Sequence, residues 1–266
     1  MTRLAFSIGT LVTKPQQYAE MRQSFEAKGF TSADCEYLSV DNTGPIQTSA
    51  YAGLNQILNR AAAPLVILCH QDVLLLEDGR ASLVARLADL DALDPHWAIA
   101  ANAGGAAPRR IARRITDKHG ANQRIGTFPL RVMSVDENFM VVKREARVGF
   151  SRDLQGFHLY GADICLNADI MGYSAYAIDF HLNHLGASLM GPAFAASEAA
   201  FRAKWQHALR DRPLQTPCAY MVLSGQPWLG AAASAREATH LRLARLRISL
   251  AKRRDRAQPD PWDKKK

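Results

Sequence analysis

The chain reads as an α/β protein, a mostly parallel sheet flanked by helices in a single domain. Three observations predict this. Short apolar runs alternate with amphipathic stretches through the first half, several of those runs end in polar residues, and the composition, 48% hydrophobic and 22% charged, is that of an ordinary globular protein. Strands that are apolar along their whole length need cover on both faces, which intervening helices supply. A length of 266 residues is ample for one such core.

Taken in order, "LAFSIGTL" (4–11) predicts a strand and "QQYAEMRQSFEAKG" (16–29) a helix closed by Gly29. "CEYLSVD" (35–41) is a second strand and "TSAYAGLNQILNRA" (48–61) a second helix. "APLVILCH" (63–70) is a continuous apolar strand, followed by the amphipathic helix "RASLVARLADLDAL" (80–93) and the strand "WAIAANAGG" (97–105). The second half is less regular. "RVMSVDENFMVVKRE" (131–145) predicts two short strands around Asp136 and Glu137, "LYGADICLNADIMG" (159–172) a helix, and "YSAYAIDFHLNH" (173–184) a strand ending in histidines. "SAREATHLRLARLRISLAK" (234–252) carries leucines at helical spacing with arginines between them. We therefore divide the chain into a main domain, 1–230, and a basic C-terminal helix with a disordered tail, 231–266.

In sheets of this kind ligands bind beyond the carboxyl ends of the strands. Asp41 and Asn42 end the second strand, and His70, Gln71 and Asp72 end the third, so both groups face one expected crevice. His70, Asp72, His181 and His184 are the candidate metal ligands. A hard divalent cation takes carboxylate and water oxygens, and manganese also accepts imidazole. Read from spacing alone, His70 and Asp72 serve equally well as a cap on a strand end. On a strand His181 and His184 face opposite sides, so one of them enters the site. His158 and Asp163 lie at the start of the helix 159–172, where the helix dipole favours negative charge.

Other classes are excluded by pattern. There is no strand-GxGxxG-helix or Walker sequence, no G-x-S-x-G elbow and no H-E-x-x-H. The four cysteines, Cys35, Cys69, Cys165 and Cys218, form no C-x-x-C pair and read as small buried hydrophobes. The formal net charge of +8 is concentrated in "RRIARR" (109–114) and the C-terminal stretch, and suits an acidic partner or a solvated surface. Nothing resembles a helix-turn-helix or an aromatic-interleaved basic stripe, so nucleic acid is not the expected partner. No apolar run is long enough to span a membrane and the N-terminal stretch lacks a leader pattern, so the expected location is the cytoplasm.

The succession "VD" (40–41), "CHQDV" (69–73), "SVDENFMVVKRE" (134–145), "GFHLYGADICLNADIMGY" (156–173), "DFHLNHLG" (179–186) and "FRAKW" (201–205) resembles bacterial glycosyltransferase-like proteins related to glycosyltransferase family 2, from about Arg3 to Trp205. The resemblance implies a GT-A-like (Rossmann-like) α/β fold with a mixed, mostly parallel sheet. It also implies a divalent cation, Mn2+ or Mg2+, and a nucleotide-sugar donor such as a UDP-sugar. "HQD" stands where the DxD motif belongs, giving Asp72 the metal-binding place with His70 in place of the first aspartate. Asp41 and Asn42 fall beside the nucleoside, with Gln71 in the same group, and His184 completes the metal set, with His181 second choice.

If "YGADI" (160–164) aligns with the EDxDL stretch of typical family 2 enzymes, Gly161 stands where the acceptor-activating aspartate belongs. A glycine cannot take the acceptor's proton, so Asp163, His158 and Asp136 are the candidate replacements. The implied activity is metal-dependent sugar transfer to a glycan or lipid-linked acceptor in bacterial surface polysaccharide synthesis. The basic C-terminal helix would then touch an anionic membrane, peripheral to the inner face. The alternative, supported by Gly161, is a non-catalytic nucleotide-sugar or glycan-binding module of the same fold.

Overall fold

The computed structural model describes residues 4–107, 110–186, 191–217, 220–226 and part of 228–250. In chain order the elements are β1 (Phe6–Val12), α1 (Pro15–Ala27), β2 (Cys35–Asp41), α2 (Ala50–Arg60), β3 (Leu65–Cys69), β4 (Val73–Leu74), α3 (Arg80–Leu93) and β5 (Trp97–Ala101). There follow β6 (Ala103–Ala107), β7 (Arg110–Asp117), β8 (Gly120–Ile125), β9 (Leu130–Val132), β10 (Ser134–Val135) and β11 (Phe139–Lys143). The last are α4 (Tyr160–Ile170), β12 (Ser174–Ala177), β13 (Leu182–His184), α5 (Pro192–Leu209), β14 (Arg212–Gln215) and β15 (Tyr220–Leu223). Two compact units are distinguished, residues 1–201 and 202–266. In the second, β14 and β15 pair antiparallel.

The first unit is built on a seven-stranded sheet of order β2-β1-β3-β11-β5-β12-β9. β1 pairs parallel with β2 and β3, and β12 pairs parallel with β5. β11 runs antiparallel between β3 and β5 and makes the sheet mixed. Side-chain alternation along β3 shows why both faces are covered. Val66 and Leu68 enter one core with Leu54 and Ile57 of α2 and Ile164 and Cys165 of α4. Ile67 and Cys69 enter the other with Met21 and Phe25 of α1 and Leu83, Leu87 and Leu90 of α3. Cys35, Cys69 and Cys165 are free and buried; Cys218 lies outside the described residues.

Two stretches read as single strands are divided, and the arginine run, read for its charge alone, joins a sheet. "WAIAANAGG" is divided at Asn102, whose side-chain amide donates to the Arg114 carbonyl, and continues as β6 in a second sheet of order β10-β6-β7-β13-β4. "YSAYAIDFHLNH" is divided likewise. Phe180 N–H turns back to the Ile178 carbonyl, and His181 N–H donates to the Asp78 carboxylate, so β12 stays in the main sheet and β13 joins the second. The arginine run forms a strand: Arg110–Asp117 pairs with β6 and β8, burying Ala112 and Ile115. Arg109 lies outside the described residues, as does most of the expected helix 234–252 and all of 251–266.

Candidate functional site

The third strand of the main sheet stops at Cys69, and the chain turns through His70, Gln71 and Asp72 into β4. β4 pairs antiparallel with β13, matching His184 to Val73, and Leu185 N–H donates to the Asp72 carbonyl. This register sets Asp72 and His184 side by side although they are far apart in sequence. One ligand atom from each of His70, Asp72 and His184 lies within 4.8 Å of the others. His184 Nε2 is 3.5 Å from Asp72 Oδ1 and 3.4 Å from His70 Nδ1. Gly186 closes the group. A Cβ there would come within 2.5 Å of Asp72 Oδ2 and 3.0 Å of His184 Nε2, so the backbone approaches as near as only glycine permits.

The hydrogen-bond chain behind His70 fixes its tautomer. Tyr160 Oη donates to the Glu137 carbonyl at 3.1 Å, and the hydroxyl has a single proton to give. The 2.7 Å contact between Tyr160 Oη and His70 Nε2 therefore needs the proton on Nε2. That leaves the Nδ1 lone pair facing Asp72 and His184, as expected of a ligand imidazole whose other nitrogen is anchored. Burial, with the charge of His184, lowers the His70 pKa and keeps it neutral. Burial would lower His184 too, but its hydrogen bond to Asp72 and the Asp72 charge outweigh that and raise it. Asp72 shifts the opposite way: burial opposes ionisation, and the hydrogen bond and charge of His184 prevail and lower its pKa. Two imidazoles and one carboxylate suit manganese, with the remaining positions open to water or a ligand.

The other expected site residues divide by position. Gln71 ties the site to the end of β1: its Oε1 accepts from Thr13 and Lys14 N–H, each at 2.8 Å, and its Nε2 donates to Thr13 Oγ1. Asn42 is buried and its amide is spent on the Thr48 backbone. Asp41 is exposed, with its carboxyl lowered by the backbone N–H and hydroxyl of Thr43. His181 stands apart from the three candidate ligands, with Nε2 2.9 Å from Thr116 Oγ1 and Nδ1 3.5 Å from Glu77.

Among the expected bases, Asp163 is fully buried and turned to the 149–151 loop. It accepts from Ser151 N–H at 2.7 Å and Ser151 Oγ at 2.8 Å, and from the Asn167 amide. His158 packs its ring on Phe194 in a T-shaped contact, 5.5 Å between centroids, and its carbonyl accepts from the Tyr51 hydroxyl. Asp136 is exposed, accepts from Asn138 N–H at 3.0 Å, and lies near enough for its charge to act on both His70 and His184. Arg114 is paired with Asp179 at 3.2 Å.

Two residues of the site were given no role from sequence, Tyr160 and Glu137. Together with Leu11, Leu54, Leu68, Cys69 and His70 they line a small cavity of about 30 Å³. Glu137 Oε1 accepts from Gly161 N–H at 3.2 Å at the start of α4. Burial pushes the Glu137 carboxyl up to about 8 against that hydrogen bond, and the neighbouring Asp136 charge adds to the rise. The only sequence signal was that Glu137 follows Asp136 in the turn before β11. Nothing local connects that turn to α4.

No family model matches the chain. Over 230 residues it is 37% identical to the ATP synthase subunits region ORF 6 protein of Fuscovulum blasticum, covering 84% of this chain and 92% of that protein. Among solved structures, the mannosyltransferase PcManGT of Pyrobaculum calidifontis, in complex with GDP-Man and Mn2+, superposes with a TM-score of 0.51 at 15% identity. The match covers 77% of this chain and 65% of that one, so the chain spans just under two thirds of the mannosyltransferase. S. aureus TarS 1–349 in complex with UDP is a looser likeness, with a TM-score of 0.49 at 12% identity over 76% of this chain and 66% of that one. The chain thus has the GT-A-like fold seen in glycosyltransferases, and it belongs to the family of the Fuscovulum blasticum ATP synthase subunits region ORF 6 protein.

Proposed function

We propose that the protein is a metal-dependent glycosyltransferase that moves a sugar from a nucleoside-diphosphate donor to a glycan or lipid-linked acceptor. The observation that carries this reading is the convergence of His70 Nδ1, Asp72 and His184 Nε2 just beyond the end of β3, in a GT-A-like fold. His70, Asp72 and His184 would hold Mn2+ or Mg2+. Such an ion, when bound, supplies positive charge to the diphosphate as it leaves.

The chain's own residues do the rest of the positioning. Tyr160 orients His70, Gln71 holds the turn against β1, and Gly186 lets the His184 strand close on Asp72. Exposed Asp41, at the end of β2, is left to meet the nucleoside. The donor complex of the structurally similar mannosyltransferase and the family resemblance point to different nucleotides, GDP and UDP, so both enter the test. A surface-polysaccharide acceptor, a cytoplasmic location and membrane contact through the basic stretch 234–252 belong to the same proposal.

Thermal stability with UDP-sugars, GDP-sugars and the free nucleotides, in Mn2+ and in chelator, tests it in wild type and Asp72→Ala. A donor-specific, Mn2+-dependent rise lost in the variant is expected. At a donor concentration of about 100 Kd the stabilisation is about 2.7 kcal/mol. No rise with any donor would overturn the reading.

A further inference from the structure

Resting on that reading, we infer that Glu137 is the general base of the transfer, a carboxylate placed on the turn before β11 instead of on helix α4. The first turn of α4 carries Gly161 where the resemblance calls for an acidic side chain, and the structure gives the reason. A Cβ at position 161 would lie 2.3 Å from the Val135 carbonyl oxygen and 3.1 Å from Glu137 Cγ. The space a side chain at 161 would use is already occupied, first by the Val135 carbonyl and then by the stem of the Glu137 carboxylate.

Three further features bind Glu137 to the site. Its Oε1 takes the Gly161 N–H, which aims the carboxylate across the first turn of α4, where the helix dipole favours negative charge. It shares its cavity with His70, one of the three candidate ligands. Its backbone is held to that ligand on both sides: the Glu137 carbonyl accepts from Tyr160 Oη, itself bonded to His70, and the next carbonyl, of Asn138, accepts from His70 N–H at 2.9 Å. Among the described residues no lysine or arginine forms an ion pair with Glu137; its carboxylate is held by backbone N–H groups at the start of α4. The three carboxyl and imidazole candidates read from sequence are placed less well. Asp163 is committed to Ser151, His158 packs on Phe194, and Asp136 is exposed to solvent.

In the step assigned to it, the acceptor oxygen forms a bond to the anomeric carbon while the bond from that carbon to the β-phosphate oxygen breaks. The bonding pair leaves with the nucleoside diphosphate, and the acceptor's hydroxyl proton passes to the ionised Glu137 carboxylate, the minority form at pH 7 that gains as pH rises through about 8. Water can stand in for the acceptor, which makes donor hydrolysis a usable assay before the acceptor is identified.

The experiment follows nucleotide release from UDP-GlcNAc and GDP-Man in Mn2+ by the full chain and its variants. Glu137→Gln is expected to lower kcat by about 10²- to 10⁴-fold, leaving Mn2+ affinity and donor KM within about threefold of wild type. Millimolar formate is expected to restore part of the rate to Glu137→Ala, since a small carboxylate fits the emptied space, and to leave Asp136→Ala unaided. A Glu137→Gln enzyme with kcat within about threefold of wild type, or a Glu137→Ala enzyme that formate does not help, would overturn the assignment. A wild type that binds Mn2+ but releases no nucleotide from either donor removes the transferase reading and this role together. Turnover that survives loss of Glu137 removes the role alone.

Discussion

At the scale of single residues the site depends on which nitrogen of an imidazole carries its proton. Tyr160 settles that for His70, because its one hydroxyl proton goes to the Glu137 carbonyl and it must accept from Nε2. Tyr160→Phe removes the acceptor and frees the ring to change tautomer. We expect Mn2+ affinity to fall about 10- to 100-fold, the usual cost of losing an outer partner of a ligand histidine. Titration of Mn2+ followed by its paramagnetic resonance signal would measure this. An affinity unchanged in a folded Tyr160→Phe protein would show that the hydroxyl does not govern the ligand.

At the scale of elements the decisive strand is β11. It lies antiparallel between β3 and β5, buries Phe139 through Val142 on alternating faces, and brings Asp136 and Glu137 to the end of the sheet where β3 delivers His70. Phe139 is fully buried and stacks on Phe180 at 5.2 Å, just ahead of β13. Phe139→Ala is expected to cost about 3–5 kcal/mol of stability, through lost transfer energy and the cavity left behind. Urea denaturation would measure the loss, and a cost below about 1 kcal/mol would mean that the core closes around the gap.

For the whole molecule, Glu137 makes stability depend on pH. Its folded carboxyl keeps its proton up to about pH 8, against an ordinary value of 4.5. Between those values the folded state holds a proton that the unfolded state has released, so the slope of unfolding free energy with pH is negative there. The contribution is complete below about pH 4.5 and is lost as pH rises through about 8. In chelator, Glu137→Gln should be less sensitive to pH than wild type over that range, and relatively more stable at pH 9. While the folded state holds one proton more than the unfolded state, stability falls by about 1.4 kcal/mol for each step of one in pH. Denaturation curves for both proteins at pH 5, 7 and 9 would decide it, and parallel pH profiles would contradict the assignment of this dependence to the Glu137 carboxyl. Among the described residues no helix is long and apolar enough to cross a membrane.

By itself the sequence determined the alternating framework and one half of the site. β1, α1, β2, α2, β3 and α3 fall where apolar periodicity and helix stop signals place them, because each is specified by local spacing and by the need to bury a face. His70 and Asp72 stood out for a similar reason: polar groups closing a buried strand have no packing role there. Tertiary structure decided what meets them. β13 is short, and its pairing with β4 is set by long-range register rather than by local pattern, so it is the sheet that sets His184 beside Asp72 and leaves His181 apart. The second sheet also took up the arginine run, whose charge had concealed the buried Ala112 within it and Ile115 just after it. Glu137 was the hardest to read. Its significance lies in the space beside Gly161, and that space exists only once α4 packs against the turn before β11.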